Sequence, residues 1–173
     1  MIKGIVVLAA VLVSSPALAA EEPAPLPKEG SGTGMSIGSV TLKVLPVGKD
    51  RAQMSWEFLG VSVADDGKGL THNASLRCIG SALFTEGIPE SYLNSCVATR
   101  PDGDQYFMTE KVISSTGPAS KGGITKGTSV ITGGTGKLAG ITGSSEWTRY
   151  GVRPAAEGTV QTVTRGKLSY RLP

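Results

Sequence analysis

Along most of the chain apolar and polar residues alternate with a period of two, rather than recurring every third or fourth position. The alternation is complete in Val40-Thr41-Leu42-Lys43-Val44. Over residues 52–63, Met54, Trp56 and Phe58 fall on one face and Gln53, Ser55 and Glu57 on the other. The C-terminal stretch is the clearest case. Val160, Thr162, Thr164, Leu168, Tyr170 and Leu172 share one side, with Gln161, Arg165, Lys167, Ser169 and Arg171 opposite. Such alternation marks half-buried strands of an antiparallel sheet. Further strands are expected over 71–83, 96–99, 105–113, 128–132, 137–141 and 146–152.

Turn-forming clusters separate these segments. They are Asp65-Asp66-Gly67-Lys68-Gly69, Pro101-Asp102-Gly103-Asp104, and Gly117-Pro118 with Gly122-Gly123. Glycine and aspartate supply the positive φ that tight turns require. No stretch makes an amphipathic helix longer than about two turns, and 89–93 suits one short helical turn. Short strands with regular turns predict an all-β fold, a single antiparallel β-barrel of about eight strands, with a β-sandwich as the alternative.

The N-terminus changes the picture. Lys3 precedes an unbroken apolar run from Ile5 to Val13, and Ala17-Leu18-Ala19 forms a small-x-small cleavage signal. That order predicts a signal peptide over 1–20, and the run is too short to span a bilayer. A periplasmic or secreted product is expected, with no integral membrane segment in the mature chain. Residues 21–34, EEPAPLPKEGSGTG, offer almost nothing to bury and predict a flexible leader ahead of a barrel domain over 35–173. The chain has two cysteines, Cys78 and Cys96. In an oxidising compartment an isolated pair predicts a disulfide, contributing about 3 kcal/mol on the chain-entropy account. The formal net charge is +3, of which Lys3 supplies one, and the bases are not clustered, which argues against nucleic acid as a partner.

Glycine concentrates in 130–147, VITGGTGKLAGITGSSEW. It fails as a phosphate-binding loop, because Ile131 stands where the first glycine is required and Leu138 where a Ser or Thr would hold magnesium. Gly133 and Gly136 approach a dinucleotide loop, but Gly140, Gly143 and Ser144 interrupt the helix that must follow, and no parallel βαβ unit surrounds it. Two short strands that bend and reverse explain the glycines. Gly133-Gly134-Thr135-Gly136-Lys137-Leu138, with Gly143 and an aromatic strand after it, resembles the late-barrel segment of dirigent proteins and allene oxide cyclases. It is most similar to small exported bacterial proteins that share that barrel. The resemblance implies an eight-stranded antiparallel barrel with an apolar lumen, which in the plant relatives steers a reactive intermediate toward one product. It carries over no catalytic residues.

Candidate chemistry is sparse. His72 is the single histidine, which excludes a multi-histidine metal site. Asp65 with Asp66, and Asp102 with Asp104, lack the spacing of a calcium loop and are explained as turn residues. No metal or cofactor is expected. No Gly-x-Ser-x-Gly elbow occurs. Glu57, Glu110 and Glu146 sit inside strand patterns; a pair of them inside a barrel would suit acid–base work, while on the polar faces they would be solvated. Trp56 and Phe58 share a face, and Trp147 and Arg149, two apart, share another. A lumen lined by such aromatics and methionine with one cation would suit a small apolar or aromatic acid; the competing explanation is core packing. The expected function is therefore non-enzymatic binding of a small apolar ligand or a protein partner. The alternatives are a cyclase or isomerase acting in the lumen, and a structural protein with a filled barrel.

Overall fold

A computed structural model describes residues 25–86, 88–153 and 159–173. The expected signal peptide lies outside the described residues. Eight strands follow in order: β1 Glu29–Gly48, β2 Arg51–Ala64, β3 Ala74–Thr85, β4 Ile88–Thr99, β5 Gln105–Ser115, β6 Ile124–Gly134, β7 Thr142–Val152 and β8 Val160–Arg171. Each pairs antiparallel with the next, and β8 returns to β1, so the sheet closes into a barrel without an edge. The barrel, not the sandwich, is the fold.

The alternation reports the two faces of the wall. Along β8, Thr162 and Tyr170 are buried inside while Arg165, Lys167 and Arg171 are exposed outside. Outside, direct neighbours also pair apolar side chains: Tyr150 with Val163, Val163 with Ile37, and Ile37 with Val61. Cross-strand pairs of this kind contribute roughly 0.2–1 kcal/mol each. The three turn clusters fall between β2 and β3, β4 and β5, and β5 and β6. In the second, Gly103 at φ 87° lets its N–H donate to Arg100 O at 2.9 Å.

Three expectations are corrected. Residues 29–34, assigned to a flexible leader, are strand: Glu29 to Gly34 pair with Arg171 to Gly166 of β8. A polar, glycine-rich segment finds its hydrogen bonds on a neighbour that local composition does not reveal. Residues 89–93 are not a helical turn but part of β4, where Tyr92 and Asn94 point inward with Cys96 and Ala98. Residues 137–141 are not a strand. A short 3-10 turn, Gly136–Leu138, carries Leu138 and Ile141 into the core.

That core sits at one end. Leu70, Ala98, Tyr106, Ile131, Leu138, Ile141 and Tyr170 form a buried cluster beneath the loops 65–73, 100–104 and 135–141, with Leu26 packed against it. Buried Arg100 pins the first of these loops, donating to Gly69 O at 3.1 Å and Leu70 O at 3.4 Å. This end of the barrel is plugged. At the opposite end, where β1 meets β2 and β3 meets β4, the β5–β6 loop folds toward β7, with Gly151 N donating to Gly123 O at 2.9 Å. Beside it the described residues leave a mouth open.

Candidate functional site

The open end leads into a cavity of about 550 Å³, within the range of small-molecule sites. Val40, Leu42, Met54, Phe84 and Val112 give it apolar walls, and Trp56 and Phe58 face into it from β2. The aromatic rings fit because glycine faces them on the neighbouring strand. Trp56 lies across from Gly80, where a Cβ would collide with the indole, and Trp147 stands in the same relation to Gly127.

Deeper in, the lumen turns polar. Arg149 of β7 meets Glu110 of β5, its Nη2 donating to Oε1 at 3.2 Å and Oε2 at 3.1 Å. Glu110 Oε2 also accepts from Asn94 Nδ2 at 2.8 Å and from the Tyr92 hydroxyl at 3.3 Å. Asn94 Oδ1 accepts in turn from Trp56 Nε1 at 3.0 Å, and Arg149 Nε donates to Thr164 Oγ1 at 3.2 Å. The guanidinium lies 4.6 Å over the Trp147 ring, a cation–π contact. Charges this deep are stable only when paired and hydrogen-bonded, as these are. Burial, the largest single influence, would lower the Arg149 pKa, but the charges of Glu110 and Tyr92 and the hydrogen bonds to both together outweigh it, and the pKa is raised. Burial, and then the Glu110 charge, push the Tyr92 pKa up to about 12.

Two polar atoms in this region are left over. Thr162 Oγ1 and Trp147 Nε1 are buried and have no hydrogen-bond partner among the described residues. Thr162 borders the large cavity, and Trp147 a smaller one of about 110 Å³ below the Glu110–Arg149 pair. An unpaired buried hydroxyl costs roughly 1–3 kcal/mol, so such atoms mark where a ligand or water is welcome.

All four aromatic and cationic residues singled out from the sequence therefore face the lumen. Trp56, Phe58 and Arg149 border the large cavity; Trp147 and Arg149 border the small one. Cys78 and Cys96 are direct cross-strand neighbours and form a disulfide facing inward. Of the three glutamates, Glu110 alone turns in; Glu57 pairs outside with Arg77 at 2.7 Å, and Glu146 is exposed. Tyr92, Asn94 and Thr162 were missed as site residues, and Glu110 was weighed only as one of three candidate lumen acids. A signal existed for Glu110, which shares its alternation with Tyr106, Met108 and Val112. No group of histidine, cysteine or acidic residues able to hold a metal occurs among the described residues. Nor is any helix there long and apolar enough to cross a membrane. Comparison with known protein families, curated proteins and solved structures finds no match to this chain.

Proposed function

We propose that this chain is an exported, non-enzymatic binding protein that holds a small, largely apolar molecule in its barrel lumen. The observation that carries this is the cavity itself: about 550 Å³, apolar along its walls, ending on a polar floor with the unpartnered Thr162 hydroxyl. A filled barrel would have no such space. Export rests on the N-terminal pattern and accords with the disulfide, and kinship with dirigent-like and cyclase barrels rests on the glycine-rich segment. The floor also refines the ligand class. Arg149 is already matched by Glu110, so a ligand carboxylate would add an uncompensated charge in a poorly solvated place. A neutral carbonyl or hydroxyl, facing Thr162 and Arg149, fits better than an acid.

The cyclase reading has one observation in its favour, the carboxylate of Glu110 in the lumen. Both its oxygens, however, are engaged by Arg149, and Oε2 also by Asn94 and Tyr92. A group so occupied serves as a counter-ion rather than as a proton acceptor for a substrate. The test is calorimetric titration of the purified protein with a naphthyl methyl ketone and with the corresponding naphthoate at pH 7. Saturable binding of the ketone, at least about tenfold tighter than the acid, is expected if an unmatched charge costs about 1.4 kcal/mol or more. No saturable binding of either probe, or preference for the acid, overturns the assignment.

A further inference from the structure

The open rim differs from the plugged end in two ways that bear on a partner. It is studded with exposed apolar side chains: Leu45 and Val47 near the β1–β2 turn, Ile88 at the β3–β4 turn, Ile113 and Ile124 flanking the β5–β6 loop, and Val152 at the end of β7. Their exposure runs from 38% at Ile124 and Val152 to 68% at Ile88. Exposed large apolar side chains also run along the outer wall, among them Leu59, Val61, Val63, Ile79 and Val130, but among the described residues the loops of the plugged end carry none. The rim is also basic. Lys43, Lys49, Lys121, Lys126 and Arg153 stand exposed there. Among the described residues the acids at this end are Asp50, Glu86 and Glu90, and Glu90 is already paired with Arg51 at 3.1 Å. At the plugged end, acids such as Glu29, Asp65, Asp66 and Asp104 offset the bases, and Glu29 pairs with Arg171 at 2.8 Å.

We infer that the open rim docks onto an anionic lipid surface, with the mouth of the cavity facing the acyl region. These apolar tips come from five different strands around the opening. They suit a soft interface that each tip enters separately, while flanking lysines reach the phosphates. The excess of bases supplies charge complementarity to such a surface and to no neutral one. The geometry also places an apolar cavity where a membrane-dissolved molecule can enter it without crossing water. The inference goes beyond lumen binding and does not depend on it, because vesicle association needs no occupant in the barrel.

Sedimentation with sucrose-loaded vesicles tests it, using protein recovered after export. One set is phosphatidylcholine alone, and the other contains 30 mol % phosphatidylglycerol, a composition of roughly the anionic content that makes polybasic surfaces bind. The protein should partition to the anionic vesicles at least about tenfold more strongly than to the neutral ones, and lose that preference as salt rises. Lys49→Glu with Lys121→Glu should abolish the preference. Leu45→Ser with Ile88→Ser should weaken binding to the anionic vesicles about tenfold or more. Lys68→Glu, at the plugged end, should change nothing. Equal binding to both vesicle types, or rim variants that bind like the parent, overturns the inference. So does a dimer in size-exclusion chromatography that disappears with the same rim variants, which would assign the rim to a second copy. Loss of ketone binding with vesicle binding intact would count against the lumen reading alone.

Discussion

At the level of single residues, the lumen is held in order by matched polar groups, and Tyr92 makes that order measurable. Its pKa is pushed up to about 12, by burial first and then by the charge of Glu110. In the unfolded chain a tyrosine ionises near pH 10. The stabilisation is therefore complete below pH 10 and is lost as pH rises toward 12, because the unfolded chain releases a proton the folded one retains. Tyr92→Phe removes that contribution. Between pH 9 and pH 12, wild type should lose about 2–3 kcal/mol more stability than the variant, in urea titrations at each pH. Parallel losses in the two proteins would show that Tyr92 does not sit against Glu110 as described. Buried Tyr106, also raised by burial, is present in both proteins and cancels from the difference. The four residues read from the sequence, Trp56, Phe58, Trp147 and Arg149, were legible because a period of two puts large side chains on one face. Their partners Tyr92 and Asn94 were not, since the proline at position 89 and the polar residues around it disguised the strand they belong to. Glu110 was visible in principle, but a carboxylate among apolar neighbours is assigned to the outside unless its counter-ion on a distant strand is known.

Among elements, the strands with strong alternation were legible and the glycine-rich joins were not. Met54, Trp56 and Phe58 of β2, and Leu168 and Tyr170 of β8, turn inward against Ser55, Glu57, Lys167 and Arg171 on the outer face. The pattern survives in those stretches, although Leu59, Val61 and Val63 of β2 face outward. The start of β1 reads as a linker because glycine and serine leave no pattern. Its place comes from backbone pairing to β8, with Gly30 beside the Tyr170 ring and Gly34 against the backbone of β2. The turn at Gly136–Leu138 misled in the opposite direction. Its apolar residues belong to the plug and not to a strand, and Asp104 helps hold the turn by accepting from Lys137 N at 3.0 Å. A deletion separates these roles. A chain beginning at Met35 loses the backbone ladder between Glu29–Gly34 and β8, and with it Leu26 from the plug. With several net hydrogen bonds at about 1 kcal/mol each, it should be destabilised by at least about 3 kcal/mol relative to a chain beginning at Pro25. A shift of the urea midpoint, or outright failure to fold, is the expected outcome. Equal midpoints would mean that the segment behaves as the linker its composition suggests.

For the molecule as a whole, closure of the sheet lets the two ends specialise. Every strand is paired on both sides, so the wall does not depend on a filled interior. The plug buries Leu138 and Ile141 to about 1% exposure, while the opposite end keeps its cavity. Stability and binding should then respond to different substitutions. Leu138→Ala removes a fully buried side chain from a packed cluster and should cost about 2–5 kcal/mol in urea denaturation. Ketone affinity should stay within about twofold, because that residue lies beyond the Glu110–Arg149 pair. Val40→Trp places a large ring into existing space, where overpacking is avoided, so stability should move by less than about 1 kcal/mol. It should nevertheless remove saturable ketone binding, since the ring occupies the volume the ligand needs. Binding that survives Val40→Trp would place the ligand outside the lumen. A loss of binding with Leu138→Ala at unchanged stability would show that the plug takes part in recognition. The opposite-signed pattern, stability lost at one end and binding at the other, follows from a barrel whose closed ladder leaves one mouth free of any duty to hold the fold together.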